Sequence, residues 1–334
     1  MAVSSRTGFH EFVFLITPQL SMIAFACAIE PLRIANRLSN KPLFQWRIAS
    51  EGQSQQICSN GVNIAADTDL VDVDKDAIIL VCTGLNAHQA ATKPVLTWLR
   101  KQSRRGVSVG AVDTGALVLA KAGLLDGYRC TIHWENQPAF REEFPEIELT
   151  NHLFEVDRDR YTCAGGAAAA DMVLQIIADQ HGQDLSSLVA DQMIHAPVRA
   201  WREEQRLSVP ARIGVRHPKL VSIIQIMEEN LEEPISPAIL AKDAGMSTRQ
   251  LERLFRRYLN RSPKRYYMEL RLQRARNLLL QTDMSVINVA LACGFTSPSH
   301  FSKCYRSHFD RTPYRERGAP STRDKSEEVA PAPM

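Results

Sequence analysis

The sequence predicts two domains of different fold class. The first is an α/β domain with a mostly parallel sheet and helices on both faces, and the second is an all-α domain with two helix-turn-helix units. Three observations lead to this prediction. Strand-like and helix-like segments alternate over the first 195 residues, a pattern typical of a parallel sheet. Residues 236–313 contain an internal repeat, in which one helical unit occurs twice. The chain of 334 residues is long enough to bury two separate cores.

The segments of the first domain follow in a regular order. Continuous apolar runs at Phe12–Ile16 and Ala77–Cys82 indicate strands buried on both faces. Helical periodicity begins at Ser21, and a longer helical segment follows Gly165-Gly166 and ends near His181. The other predicted strands are 44–50, 107–112, 153–156 and 161–163, and the other predicted helices are 94–104 and 114–122.

The domain bounds come from composition. The α/β domain takes residues 1–197 and the all-α domain residues 218–318. Residues 198–217 are charged, contain Pro210 and Gly214 and lack clean periodicity, which predicts an interdomain linker. Residues 319–334 are rich in Pro, Ser and charge, which predicts a disordered tail.

The repeated unit of the second domain carries matching landmarks. Each copy has a short helix with a small residue at its middle, then a glycine, then a helix that begins with polar residues. Gly245 and Gly294 suit a turn with positive φ. Apolar residues recur at i and i+4 in both second helices, at Leu251/Phe255 and Phe301/Tyr305. This is the arrangement of a helix-turn-helix, which lays its second helix in the DNA major groove.

The exposed face of each second helix is suited to DNA. Arginine and glutamine read base edges, whereas later Arg and Lys positions meet phosphates. One amphipathic helix, Ser262 to Gln281, joins the copies and could hold the two recognition helices about 34 Å apart, one turn of DNA. The predicted DNA-binding residues are Arg249, Gln250, Arg253, Arg256, Arg257, Ser299, His300, Lys303 and Arg306.

Charge is distributed unevenly between the two domains. Residues 210–318 hold 19 of the 40 Lys and Arg residues but only 10 of the 37 Asp and Glu residues. The second domain is therefore basic and the remainder acidic, as expected if only the second domain meets the phosphates of double-stranded DNA.

Residues 218–318 closely resemble the DNA-binding domain of the AraC/XylS family of transcription regulators. The resemblance spans the whole domain and rests on these residues: Met246-Ser247, Arg249, Leu251, Arg253, Phe255, Arg271-Leu272, Ala275, Leu278-Leu279, Cys293-Gly294-Phe295, Phe301-Ser302-Lys303, Tyr305 and Thr312-Pro313. It implies a regulator that binds two successive major-groove segments.

The first domain contains a strand-turn-helix from Gly110 to Gly127. An apolar strand ends at Val112, and Thr114-Gly115 opens a helix, so the single turn residue is Asp113. In open α/β sheets ligands bind beyond the carboxyl ends of the strands. A residue on such a tight turn, or elbow, is presented to the pocket, which is why nucleophiles often occupy it.

Residues 10–180 resemble the class I glutamine amidotransferase-like (PfpI-like) domain, in the GlxA-like version fused to AraC-type domains. The landmarks are Glu30-Pro31-Leu32-Arg33, Ala35-Asn36, the elbow, 123–127, His133-Trp134, 163–166 and Asp171. Catalytic relatives carry cysteine at the elbow, and this chain has Asp113 instead. The expectation is a binding module without enzyme activity.

The predicted effector site combines Glu30, Asp113, Thr114, His133 and Trp134. The resemblance places Glu30 near the elbow, and two neighbouring carboxylates favour a cation between them. A Trp face attracts quaternary ammonium, and the Thr114 hydroxyl would receive a ligand carboxylate. The predicted effector is a betaine, a carnitine-like compound or a basic amino acid, a class that several family members sense.

Simpler roles stay open for these residues. Glu30 could pair with Arg33 on the next helical turn, and Asp113 could serve only as a helix N-cap. Trp134 could belong to the core, and His133 could be structural.

The seven cysteines are scattered without a Cys-x-x-Cys spacing, so neither a metal site nor a disulfide framework is expected. No cofactor is expected either. The apolar run Phe12–Ile16 is stopped by Pro18 and is too short to span a membrane. A cytoplasmic location is therefore expected.

The combined prediction is an effector-responsive regulator, an activator that forms a homodimer and acts on RNA polymerase. The alternative is an amidohydrolase or isomerase with an appended DNA-binding domain.

Overall fold

The computed structural model describes residues 9–195, 199–200, 202–206, 208–282 and 284–317. The chain divides into two compact units, with the boundary between residues 206 and 207. The predicted tail, 319–334, lies outside the described residues.

A six-stranded sheet forms the centre of the first unit. Its strand order is β2-β1-β5-β6-β10-β9, in which every neighbouring pair is parallel except the edge pair β10-β9. Two short pairs, β3-β4 and β7-β8, lie outside it. The strands are β1 His10–Ile16, β2 Phe44–Ala49, β3 Gln56–Ile57, β4 Asn63–Ile64, β5 Ile78–Cys82, β6 Ser108–Val112, β7 Arg129–Cys130, β8 Glu148–Leu149, β9 Phe154–Asp157 and β10 Arg160–Cys163.

Helices cover both faces of this sheet. Along β1, Phe12, Phe14 and Ile16 pack into one core with α1, α6 and α7, while Val13 and Leu15 pack into a second core with α2, α3 and α4. Successive side chains of a strand point to opposite faces, so both faces of β1 and β5 are apolar. The helices are α1 Met22–Ser39, α2 Ala87–Ala90, α3 Lys93–Arg104, α4 Ala116–Lys121, α5 Gln137–Glu143, α6 Ala168–His181 and α7 Gln183–Gln192. The predicted α/β class is confirmed.

The segment predicted as a linker is divided between the two units. Residues 202–206 belong to the first unit, where the Leu153 amide donates to the Glu203 carbonyl at 3.0 Å. Residues 209–213 form a helix whose Val209 is buried in the core of the second unit. Arg212 of that helix makes a two-bond ion pair with Glu228 at 2.7 and 2.8 Å. Part of the segment predicted as a linker is therefore built into the two units.

The second unit is all helical, as predicted. Its helices are α8 Val209–Ile213, α9 Pro218–Glu229, α10 Pro237–Asp243, α11 Thr248–Leu259, α12 Pro263–Gln281, α13 Val286–Ala292, α14 Pro298–Phe309 and α15 Pro313–Glu316. A hydroxyl side chain accepts a bond from the third amide of each helix from α10 to α15. Such caps satisfy amides that lack a partner in the helix and fix where each helix begins.

Within the described residues, every helix is too short or too polar to cross a membrane.

Candidate effector pocket and DNA interface

Asp113 occupies the predicted elbow between β6 and α4. Its backbone adopts φ 64°, the left-handed region, which aspartate tolerates better than most residues. The Asp113 amide donates to the Cys163 carbonyl of the adjacent strand β10 at 3.1 Å. Gly165 leaves the room that the side chain needs, since a Cβ there would lie 2.7 Å from Asp113 Cβ. The fold therefore holds a strained aspartate at the carboxyl end of the sheet.

Ser21, His133 and Glu135 act on the Asp113 carboxyl, and these four residues together with Trp134 are here called the candidate pocket. Burial raises the pKa of the Asp113 carboxyl to about 6, and Glu135 acts in the same direction through charge. His133 and a hydrogen bond from the Ser21 hydroxyl oppose that rise. The His133 amide also donates to the Asp113 carbonyl at 3.2 Å. Ionisation of the Asp113 carboxyl is thus unfavourable in this environment, and a nearby cation would stabilise the carboxylate form.

Thr114 is not placed as the sequence suggested. Its side chain is buried, and its hydroxyl lies 2.7 Å from the Gly84 carbonyl and 2.7 Å from the Thr83 hydroxyl. Donation to the carbonyl and acceptance from Thr83 occupy this hydroxyl. Thr114 therefore fastens the elbow to the loop after β5, and its hydroxyl proton is already donated within the chain.

Glu30 is likewise engaged elsewhere. Arg33 Nε donates to Glu30 Oε2 at 2.8 Å on the solvent-exposed side of α1, which is the simpler role considered for it. Among the described residues, the acidic group that acts on Asp113 is Glu135 rather than Glu30. The structure therefore places Glu135, a residue that the sequence analysis did not name, in electrostatic contact with Asp113.

His133 and Trp134 lie side by side, with ring centroids 5.6 Å apart. The Trp134 face is already in contact with a cation, because the Arg206 guanidinium carbon lies 4.4 Å from the ring centroid. Such an arrangement is a cation–π contact. Trp134 therefore accepts positive charge, as predicted from its residue type, but in this structure the charge comes from the chain itself.

The cysteine nearest the elbow in the sheet, Cys163, has a thiol that stays protonated near neutral pH. Cys163 is buried, and burial raises the pKa of its thiol to about 12. Burial raises the pKa of the Cys82 thiol as well. Since the thiolate is the nucleophile, neither side chain replaces the cysteine that catalytic relatives carry at the elbow.

The two recognition helices α11 and α14 repeat each other in burial. Leu251 and Phe255 are buried on the first, and Phe301 and Tyr305 are buried at the same positions of the second. Left-handed residues, Asn260 and Asp310, end both helices. All nine predicted DNA-binding residues are solvent exposed. The structure thus presents two matching polar faces.

Some of these polar side chains already have partners. Gln250 forms a capping box, in which its Oε1 accepts from the Ser247 amide at 2.7 Å. Its side-chain amide nitrogen is still able to donate to a base. Bidentate reading of a base would also need Oε1, and the capping box would then have to open. On the second helix, His300 Nε2 lies 3.3 Å from Cys304 Sγ.

Arg271 of α12 holds the second helix-turn-helix in place. It donates from Nε to the Cys293 carbonyl at 2.8 Å and from Nη2 to the Gly294 carbonyl at 2.6 Å. Its guanidinium also lies 4.2 Å from the Phe295 ring centroid. The connecting helix α12 is therefore bonded directly to the turn of the second helix-turn-helix.

Sequence reasoning missed Ser21, Glu135 and Arg206. Ser21 precedes α1 and would be interpreted as its cap, yet it makes no cap bond and instead serves Asp113. Glu135 stands two residues after His133, which could have drawn attention to it. No local signal in the sequence connects Arg206 with Trp134.

Comparisons with known proteins agree with this architecture. A helix-turn-helix domain model matches residues 240–319, and a DJ-1/PfpI family model matches residues 28–179. The HTH-type transcriptional regulator CdhR of Pseudomonas aeruginosa is 43% identical over 308 residues, which cover 92% of this chain and 91% of CdhR. The chain belongs to the AraC family of transcription regulators that carry a DJ-1/PfpI-like domain.

Further relatives support the same assignment. The regulator GbdR of Pseudomonas aeruginosa is 44% identical over 304 residues, 91% of this chain and 83% of GbdR. A THiJ/PfpI family protein from Pseudomonas syringae superposes with a TM-score of 0.51 at 19% identity, over 66% of this chain and 87% of that chain, which shows the shared fold. The family predictions are thus confirmed, and this AraC-family member is a DNA-binding regulator rather than an enzyme.

Proposed function

We propose that this regulator responds to a small amine or amino-acid-like metabolite, such as a betaine, a carnitine-like compound or a basic amino acid, bound beside Asp113. The observation that carries the proposal is the carboxyl at the elbow, whose pKa burial raises to about 6. An ionised carboxylate in a buried site gains most from a cationic partner.

The surroundings of Asp113 favour a positive ligand. Glu135 adds a second acidic group to the pocket. Trp134 lies next to His133 and already contacts a guanidinium. An aromatic ring that adjoins His133 and Glu135, both of which act on Asp113, is chemistry that suits quaternary ammonium and guanidinium groups. For a ligand carboxylate, His133 is the candidate partner, since the Thr114 hydroxyl is occupied.

Calorimetric titration of the full-length protein with betaines, carnitine, choline and basic amino acids tests this proposal. We expect one class to bind and Asp113→Asn to reduce its affinity at least tenfold. Asparagine tolerates the left-handed backbone at this position, whereas alanine would add strain. Glu30→Gln is the matched control, because Glu30 pairs only with Arg33 among the described contacts. Equal losses in both variants, or no binder in the panel, would contradict the proposed ligand class.

The DNA-binding unit is proposed to place α11 and α14 in successive major grooves. Loss of Arg249 or Arg253 should then relax sequence preference, and loss of Arg257 or Arg306 should weaken binding to all sequences. The exposure of these four side chains supports this assignment. A mobility-shift series in which Arg249→Ala keeps the full sequence preference would contradict it.

We further propose that the protein acts in the cytoplasm as a homodimeric activator that contacts RNA polymerase. Dimerisation would add recognition helices along the operator and so extend the site that is read. Light scattering tests the dimer, and transcription in vitro with purified polymerase, with and without the metabolite, tests activation. A monomer at micromolar concentration, or repression alone, would contradict these points.

A further inference from the structure

Residues 202–206, here called the exit segment, are the last of the first unit before the chain enters the DNA-binding unit. This segment is fastened to the first unit along its length. Besides the bond from Leu153 to Glu203, a β-bridge joins Glu204 to His152, and the Gln205 amide donates to the Asn151 carbonyl at 3.3 Å. The exit segment thus extends the structure of the first unit up to the domain boundary.

Gln205 joins the exit segment to the residues between β7 and His133. Its Nε2 lies 2.8 Å from Thr131 Oγ1 and 3.0 Å from the Ile132 carbonyl. Ile132 immediately precedes His133, whose amide donates to the Asp113 carbonyl. A short, continuous set of hydrogen bonds therefore runs from the elbow to the exit segment. Gln205 Oε1 is buried without a partner among the described residues, so this anchor is incompletely satisfied and cheaper to break than a fully bonded one.

The next residue, Arg206, places its guanidinium on Trp134. It therefore occupies the aromatic face that a cationic ligand of this pocket would use. Arg206 is exposed to solvent, so its withdrawal into water requires no cavity to open.

A second fastening lies just upstream of the exit segment. Asp171 of α6 is fully buried, and it accepts bonds from Arg199 at 3.1 and 2.6 Å and lies 2.8 Å from His195 Nε2. This pair would keep the upstream chain attached while residues 202–206 move. The exit segment is consequently a short strap held at two places, upstream by Asp171 and downstream by Gln205.

We propose that the exit segment is the element through which the pocket controls the DNA-binding unit: a cationic effector displaces Arg206 from Trp134, and the segment then releases from Thr131 and Ile132. This inference rests on the proposed effector site. A ligand shifts such an equilibrium only if it prefers one state. Here the preference arises because the ligand cation and Arg206 compete for one aromatic face.

The competition sets the expected size of the effect. A cation–π contact of this kind is worth about 0.5–2 kcal/mol, which corresponds to roughly 2- to 30-fold in an equilibrium constant. Removal of the Arg206 charge should therefore tighten the binding of a quaternary cation by about that factor. A residue that merely stabilised the pocket would weaken binding when replaced.

The first experiment titrates tetramethylammonium, the smallest quaternary cation, into full-length wild-type protein, Arg206→Met and Arg104→Met. Arg104 is an exposed arginine of α3, so its variant controls for the loss of one positive charge. We expect Arg206→Met to bind at least twofold more tightly than the wild type and Arg104→Met to match the wild type. Equal or weaker binding to Arg206→Met would overturn the proposed competition.

The second experiment requires no ligand and so separates failure of the strap from failure of the effector site. Gln205→Ala keeps the net charge but removes the side-chain bonds to Thr131, Ile132 and the His152 carbonyl. We expect faster amide hydrogen exchange in residues 202–206, and at least a threefold change in affinity for a duplex selected from a random pool by the wild type. Unchanged exchange and DNA affinity would overturn the proposal, even if a metabolite is found to bind. If tetramethylammonium binds neither protein but Gln205→Ala changes DNA affinity, the strap stands and the displacement of Arg206 by a quaternary cation is overturned.

Discussion

Replacement of Asp113 by asparagine should stabilise the first unit at pH 7.5, and this gain in stability should fall to about one third at pH 4.5. The folded carboxyl has a pKa of about 6 against an ordinary value of 3.8. The folded state therefore binds more protons than the unfolded state between these values. Wild-type stability should fall as the pH rises through this window and level off above pH 6.

The rise in the Asp113 pKa from 3.8 to about 6 lowers the free energy of unfolding by about 3 kcal/mol at pH 7.5, taken as an upper bound. For a unit of this size, 1 kcal/mol moves the Tm by about 2–4 °C. The variant should thus melt several degrees above the wild type at pH 7.5. Asparagine keeps the shape of the side chain, can still accept from Ser21 and tolerates φ 64°, so the comparison isolates the charge.

Scanning calorimetry of the full-length protein between pH 4.5 and 8 measures this difference. The difference between wild type and variant removes the contribution of all other titrating groups. Glu30→Gln should show no comparable dependence, since its partner Arg33 is exposed. A stability difference that stays constant across the pH range, or that favours the wild type at pH 7.5, would refute the assigned cost of the Asp113 charge.

Three further predictions concern the DNA-binding unit. In mobility-shift assays, Arg253→Ala should cost about 1–3 kcal/mol on the preferred site and relax its sequence preference, whereas Arg306→Ala should weaken all sites and lower the salt slope by about 1. Arg271→Met should destabilise this unit by about 2–4 kcal/mol in urea unfolding, because it strips two carbonyls of a charged donor; a loss under 1 kcal/mol would contradict that role. Gly245→Ala should lower the free energy of unfolding by about 1–2 kcal/mol, because alanine is strained in the left-handed backbone conformation. Gly294→Ala should cost clearly more, because its Cβ would also lie 2.6 Å from the Glu232 carbonyl oxygen, and equal losses would contradict this difference.

The fold could be predicted because its signals are local and periodic. Apolar runs such as β5 predict buried strands wherever they pair, and the repeated spacing around Gly245 and Gly294 predicts two equivalent turns. The elbow at Asp113 followed from the same logic, since a strand that ends directly before a helix leaves one residue at the turn. Segments without periodicity were less predictable. Helix α7 was missed, and α8 was assigned to a linker although its Val209 enters a core.

The pocket was harder to predict because its members come from distant parts of the chain. Ser21, Glu135 and Arg206 reach Asp113 or Trp134 only through the tertiary fold. Thr114 shows the opposite error: its residue type suits a ligand hydroxyl site, but two nearby oxygens occupy it. A residue's capacity for a bond is visible in the sequence, whereas the partner that uses this capacity is not.

The substitution at the elbow is consistent with the change from catalysis to sensing. A cysteine at this turn would supply a thiolate nucleophile. An aspartate at the same strained position supplies a buried negative charge whose ionisation is unfavourable without a cation. Because of this cost, a state in which a positive group lies near Asp113 is favoured over a state without one. The chain itself holds a positive group nearby, the Arg206 guanidinium on the adjoining Trp134. A cationic metabolite and the exit segment therefore depend on the same small region of charge and aromatic surface. Under the proposal, occupation of that region by one of them lowers the affinity for the other, which is the coupling that a ligand-responsive regulator requires.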